Sequence, residues 1–426
     1  MIKGEKIRLD IHSILYSIYK FNKNLDNQEI KEKIDKHNEI DISFLINVTL
    51  TSMRYHLHIK KIINKYVKKK LRDHEKILLL SAITQIVFLN FKEYAVINCS
   101  VEIAKKFKIY PGLINAVLKN ISKNKAHLKN IKIIYNDLPE WFKVNTRSLN
   151  NNDRLNFLDT FNKQPDLHIV FKDKEKLNSF EKKIFKTSDI SGFPIEKENL
   201  MKLRSFDKGY WWVQDFSSFF PIYNLPIENK TIKILDACAA PGGKSFQLLS
   251  KKLNVNLNDI SSFRIEKLKT NLKRLKFDAK IFNKDFTKFY EKEKYDFIII
   301  DAPCTAIGTI RKNPEIFFKT KPPRLKDLVK IQKQMLDKAS KLLSSEGIIL
   351  YMVCSFLKVE TEDQINIFLE ENNDFKLSYF EKDKQIKKYS GFIKNNYMIT
   401  QPSKILKHNI DGYFAAYLRK KNDINN

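Results

Sequence analysis

Two cysteines and an aspartate stand where their chemistry could be used. Cys304 closes Asp301-Ala-Pro-Cys304, directly after the apolar run Phe297-Ile-Ile-Ile300. Cys354 closes Leu350-Tyr-Met-Val-Cys354 and is followed by Ser355. A buried cysteine is most often inert packing. Here both follow strand-like runs, and ligands of doubly wound α/β sheets bind beyond such strand ends. Two thiols and a carboxyl group suit methyl transfer to carbon. The C5 carbon of a cytosine is a poor nucleophile, but a thiolate adding at C6 makes it enamine-like and able to attack a sulfonium methyl. A carboxyl group near N3 stabilises the charge that appears in the ring. A base then removes the C5 proton and the thiol leaves. Methylation of an exocyclic nitrogen needs no cysteine, so paired thiols point to carbon 5. The residues alone leave open which cysteine attacks. Of the other two, Cys99 reads as packing and Cys238 stays open. There is no C-x-x-C pair and the eight histidines are scattered, so neither a metal site nor a disulfide framework is expected.

The methyl donor needs its own place. Ile232 to Leu235 is a short apolar run ending at Asp236; Ala237-Cys-Ala-Ala-Pro-Gly-Gly243 follows, and Lys244-Ser-Phe-Gln-Leu-Leu249 opens a helix. Small residues let the backbone approach a ligand, and a helix N-terminus offers free N–H groups. A Walker A loop needs glycine where Cys238 stands, and no Gly-x-Gly-x-x-Gly is present. What remains is a nucleoside-binding loop without a diphosphate cradle, which suits S-adenosylmethionine. Asp259 ends the next strand and is placed to accept ribose hydroxyls, and Asp285 ends the third, where it could meet an adenine amino group. Either acid alone could be a helix cap.

These residues require a sheet. From 226 to 426 the pattern alternates, with strands expected at 232–236, 254–258, 280–283, 296–301, 347–353, 374–380 and 412–418. Helices are expected at 244–252, 261–275, 326–344 and 360–371, giving a doubly wound α/β domain. Residues 129–225 read as a small α/β lobe, with an aromatic and basic stretch at Pro139–Ser148 and the run Leu167-His-Ile-Val-Phe171. Arg147, Trp211 and Trp212 there could stack on bases or bind phosphate, although buried packing is the commoner role of a tryptophan. Residues 1–128 read as an all-helical bundle: no glycine lies between Gly4 and Gly112 and no proline precedes Pro111. Helical spacing runs through Ile11, Ile14, Leu15, Ile18 and Tyr19, then through 42–67, 75–90, 94–107 and 111–121.

In 426 residues, 78 Lys and Arg stand against 49 Asp and Glu, a net charge of +29. That favours a polyanionic partner, nucleic acid ahead of a membrane surface. The alternative is a compositional bias toward solvated lysine. The first ten residues lack a signal-peptide core, and the apolar stretch Ile77–Asn90 is too short to span a bilayer. A cytoplasmic monomer is expected, with no membrane and no metal partner.

Several stretches of the chain resemble known families. Ala95-Val-Ile-Asn-Cys-Ser-Val-Glu-Ile-Ala-Lys-Lys-Phe107, Leu113-Ile-Asn-Ala-Val-Leu-Lys-Asn120 and the helix around Gln85 resemble NusB, an all-helical RNA-binding fold. Asp236–Lys244, Asp301–Cys304, Arg311-Lys-Asn-Pro-Glu315, Val353-Cys-Ser355 and Asp411-Gly-Tyr-Phe414 resemble the Sun family of RNA cytosine-5 methyltransferases, and Gln214-Asp215 matches its segment before the sheet. Together they resemble the family's 16S rRNA subfamily B. The resemblance implies that Cys354 is the nucleophile, Cys304 assists product release, and Asp301 holds the base and helps position the donor. It implies that Cys238, Ala239, Ala240, Pro241, Gly242, Gly243 and Lys244, with Asp259, Asp285 and Asp301, bind S-adenosylmethionine. Arg147, Gln214, Asp215 and Arg311 are the expected RNA contacts. The substrate implied is 16S rRNA, free or early in assembly. Two departures stand out. The family's Thr-Cys-Ser is Val353-Cys-Ser here, and its Pro-Cys-Ser-Gly-Thr-Gly is Pro303-Cys-Thr-Ala-Ile-Gly308. A transfer-RNA substrate, or an RNA-binding assembly or antitermination factor with a vestigial enzyme domain, are the rival readings.

Overall fold

The computed structural model describes residues 4–196, 200–225, 231–379, 389–405 and 407–421. Its contacts divide the chain into two units: Met1–Lys163 with Ile310–Pro323, and Gln164–Thr309 with Arg324–Asn426. Residues 129–163 thus group with the helices, and 164–225 with the sheet.

The first unit is helical because no glycine or proline lies between Gly4 and Pro111 and one face of each helix is apolar. Glu5–Phe21 buries Ile7, Ile11, Ile14, Leu15 and Ile18, and Glu93–Lys106 and Pro111–Lys123 bury Val96, Ile103, Ile114, Val117, Leu118 and Ile121 in the same core. The periodic stretch 42–67 is two helices, Glu39–Arg54 and His56–Tyr66, broken at Tyr55. With no glycine or proline there, the break is invisible to periodicity; the His56 ring instead bonds the Met53 carbonyl at 2.7 Å. A further short helix, Gln28–Ile34, starts on an Asn27 cap. The stretch 75–90 is a helix, Asp73–Ile83, that ends in a π-turn, Thr84–Phe88.

The second unit holds two larger sheets. The smaller comprises β1 (Ile169–Phe171), β2 (Ile184–Lys186), β3 (Ser191–Pro194) and β4 (Trp211–Val213), antiparallel in the order β2-β3-β1-β4. The larger comprises β5 (Lys233–Asp236), β6 (Asn254–Asn258), β7 (Ile281–Phe282), β8 (Tyr295–Asp301), β9 (Leu343–Val353), β10 (Phe375–Ser378), β11 (Ile393–Lys394), β12 (Tyr397–Thr400) and β15 (Tyr413–Lys420). Its order is β11-β12-β15-β9-β8-β5-β6-β7, with β10 also on β15; β13 (Ser403–Ile405) and β14 (His408–Ile410) form a separate hairpin. The pairs from β7 to β9 are parallel, and β15 runs antiparallel to β9. Every strand expected from the sequence is present within a few residues, although residue 380 lies outside the described residues. The four short strands at 393–410 were not expected. The β8 and β9 runs are apolar on both faces, as fits a sheet covered on both sides. The register sets Asp301 beside Met352 and Val353 beside Phe414. Residues at the end of β8, the end of β9 and the start of β15 therefore meet.

Candidate active site

The first loop is built on buried polar groups. Asp236, at the end of β5, is fully buried. It accepts hydrogen bonds from Ser245 Oγ at 2.6 Å and Cys238 N at 3.3 Å, and burial lifts its pKa to about 6. Gly242 starts the helix Gly243–Ser250 at φ 115°, and a Cβ there would lie 2.0 Å from the Phe246 ring, so only glycine fits. Asp259, also buried, accepts from Ala240 N at 3.2 Å and Ser261 N at 3.0 Å and pairs with Arg264 at 3.3 Å. Asp285 caps the next turn through Thr287 N and Oγ1 at 2.9 and 2.7 Å. Two asparagines unnoticed in the sequence tie these loops together. Asn258 Nδ2 bonds the Ala237 and Lys284 carbonyls at 3.0 Å, and Asn283 Nδ2 bonds the Asp259 carbonyl at 2.9 Å. The only sequence signal they carry is their place at strand ends.

At the neighbouring strand ends the acid and both thiols come together. Cys304 and Cys354 are partly buried, with Sγ atoms 3.4 Å apart. The hydrogen bond to Cys354 and then burial push the Cys304 thiol well above its usual range. Asp301 is gripped on both oxygens: Lys244 Nζ pairs with Oδ2, and Tyr413 Oη donates to Oδ1 at 2.7 Å. Burial alone would lower the Lys244 ammonium, but the charge and hydrogen bond of Asp301 outweigh it and hold it raised. Burial, reinforced by Asp301, pushes the Tyr413 phenol up. Tyr413 is a site residue that the sequence did not mark individually; it lies within Asp411-Gly-Tyr-Phe414. The arrangement sets one carboxyl group and two sulfurs together, next to a loop of small residues.

Residues 222–419 match the family model described as 16S rRNA methyltransferase RsmB/F, and residues 5–123 match the NusB family. The sheet-bearing segment is thus similar to the RsmB/F methyltransferases and the helical segment to NusB. Among its relatives is ribosomal RNA small subunit methyltransferase B of Shewanella oneidensis, 28% identical over 89% of this chain and 91% of the relative. The protein of the same name from Photorhabdus laumondii is 29% identical, over 74% and 79%. A solved structure described as PH0851 has a TM-score of 0.71 at 22% identity, covering 99% of each chain. NSun6 from Pyrococcus horikoshii with SFG has a TM-score of 0.55 at 18% identity, covering 66% of this chain and 97% of that one. These two likenesses are of fold. With this match and these relatives, the chain is an enzyme, a methyltransferase.

Not every residue expected at RNA is at the surface. Arg147 is exposed, in the helical unit. Arg311, in the same unit, is fully buried, and its carbonyl accepts from Arg54 Nη2 at 3.0 Å. Gln214 is buried in the sheet unit and accepts from Trp212 Nε1 at 3.0 Å. Asp215 caps the helix Phe216–Tyr223 through Ser217 N at 2.9 Å and accepts from Asp411 N at 3.2 Å. Arg311 and Gln214 are thus buried, whereas Asp215 is half-buried. Trp211 and Trp212 are buried as well, so packing is their role.

Proposed function

We propose that the chain transfers a methyl group from S-adenosylmethionine to C5 of a cytosine in small-subunit (16S) rRNA, through a covalent bond between Cys354 and C6. The observation that carries this reading is the pair of thiols 3.4 Å apart, beside Asp301, which Lys244 and Tyr413 hold. Nitrogen methylation would have no use for either sulfur.

The donor site fits S-adenosylmethionine better than a nucleoside diphosphate. Its one lysine, Lys244, is turned onto Asp301 and not left for a phosphate. The loop Cys238–Gly243 would take the donor's backbone side, with Asp259 and Asp285 at its ribose and adenine ends. Bound there, the donor supplies an electrophilic methyl that C5 can take. The protein's own part begins when the Cys354 thiolate adds to C6. Asp301, held by Lys244 and Tyr413, would meet N3 as the acid and donate a hydrogen bond that steadies the negative charge the addition puts into the ring. After the C5 proton is lost, the C6–S bond breaks and Cys354 leaves with the electron pair. Cys304, in contact with Cys354, assists that release.

RNA affinity is assigned to the basic excess. In the helical unit a cavity of about 860 Å³ is lined by Lys60, Lys61, Lys69, Lys70, Lys76 and Lys319. A cytoplasmic location is part of the reading. No described helix is long and apolar enough to cross a membrane, and no metal-binding cluster occurs among the described residues. The test is transfer of labelled methyl from S-adenosylmethionine to 16S rRNA and to transfer RNA, with the base mapped. Label on C5 of one 16S cytosine is expected. Label on transfer RNA alone would overturn the substrate, and donor binding without transfer to any RNA would favour the RNA-binding factor.

A further inference from the structure

Behind the two thiols lies a carboxylate that touches neither. Glu360 follows β9 in Cys354-Ser-Phe-Leu-Lys-Val-Glu360 and is fully buried. Its Oε1 accepts from Thr305 N at 2.8 Å and from Gln332 Nε2 at 3.2 Å. Its Oε2 accepts from Thr305 Oγ1 at 2.6 Å and from Ser355 Oγ at 2.5 Å. Thr305 and Ser355 are the residues immediately after Cys304 and Cys354. Gln332 Nε2 also bonds the Pro303 carbonyl at 2.9 Å, immediately before Cys304. The Glu360 backbone is held in turn by Tyr351 Oη, which donates to its carbonyl at 2.8 Å. A buried carboxylate is tolerable only when its lone pairs are filled, and these four contacts come from neutral donors. Such charge-assisted bonds are short and directional.

We propose that Glu360 is a positioning residue. Its carboxylate is the common anchor of the two cysteine-bearing loops and sets the distance between the reacting sulfurs. The inference rests on the reading that both thiols act on one base. A strand end by itself fixes a cysteine's backbone, but not the separation of two cysteines fifty positions apart; a shared acceptor does. Glutamine is the informative substitution: its amide oxygen can still accept from Thr305 N–H and Gln332 Nε2, but its NH2 would meet Thr305 Oγ1 and Ser355 Oγ, which must then turn to accept, so the two hydroxyl bonds to a carboxylate oxygen are lost.

The test uses the full-length chain with Glu360→Gln, Thr305→Val and Ser355→Ala. Two readouts are followed. The first is independent of activity: the rate at which a mild oxidant such as diamide joins Cys304 to Cys354, read by mass spectrometry of the peptides. The second is methyl transfer. A slower Cys304–Cys354 crosslink is expected in all three variants, with kcat falling while donor affinity and donor KM stay unchanged. A displacement near 1 Å would cost about 10²-fold in kcat. Effects of the paired variants should be less than additive, since they act on one carboxylate. Crosslinking and kcat at the wild-type level in folded Thr305→Val and Ser355→Ala would overturn the role, whether or not Glu360→Gln folds. Slowed crosslinking in a chain that methylates no RNA would leave Glu360's role standing and sink the cytosine reading instead.

Discussion

At the scale of single residues, the proposed mechanism divides one reaction between the two thiols. Replacing Cys354 by alanine would, on that mechanism, remove the nucleophile without touching the donor loop. The expected outcome is loss of methyl transfer with unchanged donor binding by calorimetry; retained transfer would move the nucleophile elsewhere. Cys304→Ala should stop release, leaving a protein–RNA adduct seen as a retarded band under denaturing conditions. Turnover at the wild-type rate with no such band would remove its release role. A neighbouring residue departs from the family pattern at a cost in backbone strain. Ala306 stands where the family has glycine, and its φ is 56°, in the left-handed region. A Cβ there costs roughly 1–2 kcal/mol, offset by about 0.5–1 kcal/mol of backbone entropy that glycine would lose on folding. Ala306→Gly is therefore expected to raise the melting temperature slightly. A lower one would show that the loop draws compensation from Cβ contacts.

At the scale of elements, the helical unit carries histidines that its fold keeps neutral. Burial lowers the pKa of His12 to about 4, helped by His74, whose ring nitrogen lies 3.0 Å away. Burial, then Lys61, lowers His58 to about 4 as well. Their folded pKa lies below the unfolded value of 6.5, so the unfolded chain binds protons first as pH falls. Their contribution to stability is full above pH 6.5 and is lost progressively down to about pH 4, at roughly 1.4 kcal/mol per unit for each ring. Amide protection in the helix Glu5–Phe21 should therefore fall between pH 6.5 and 4; protection unchanged across that window would mean the rings are solvated. Such details separate what the sequence reveals from what it hides. The absence of glycine and proline announces a bundle, and apolar runs ending in Asp236, Asp301 and Cys354 announce the sheet and its reactive edge. The break at Tyr55 is carried by no breaker residue. Tyr413 and Glu360 are hidden for another reason: their roles depend on which strand lies beside which. Only the register of β15 on β9 carries Tyr413 to Asp301, more than a hundred positions away in sequence.

At the scale of the whole molecule, the net charge of +29 is far more than two reacting sulfurs require. Its physical consequence is counterion release. Each phosphate neutralised by lysine or arginine frees condensed cations, so affinity falls as salt rises. If the basic residues bind rRNA, six to ten phosphate contacts would lower affinity by about 10³–10⁵ between 50 and 200 mM salt. Filter binding of the intact enzyme to a 16S fragment across that range measures the slope. Lys60 and Lys70 line the cavity of the helical unit, and both are exposed. Changing both to glutamine should flatten the slope by roughly one to two counterions while leaving kcat at saturating RNA unaltered, because neither touches the reacting base. A slope unchanged by that double substitution, but steep overall, would place the RNA on other basic residues. A flat slope in the wild-type chain would show that the lysine excess solvates the surface, and that target choice rests on contacts of another kind.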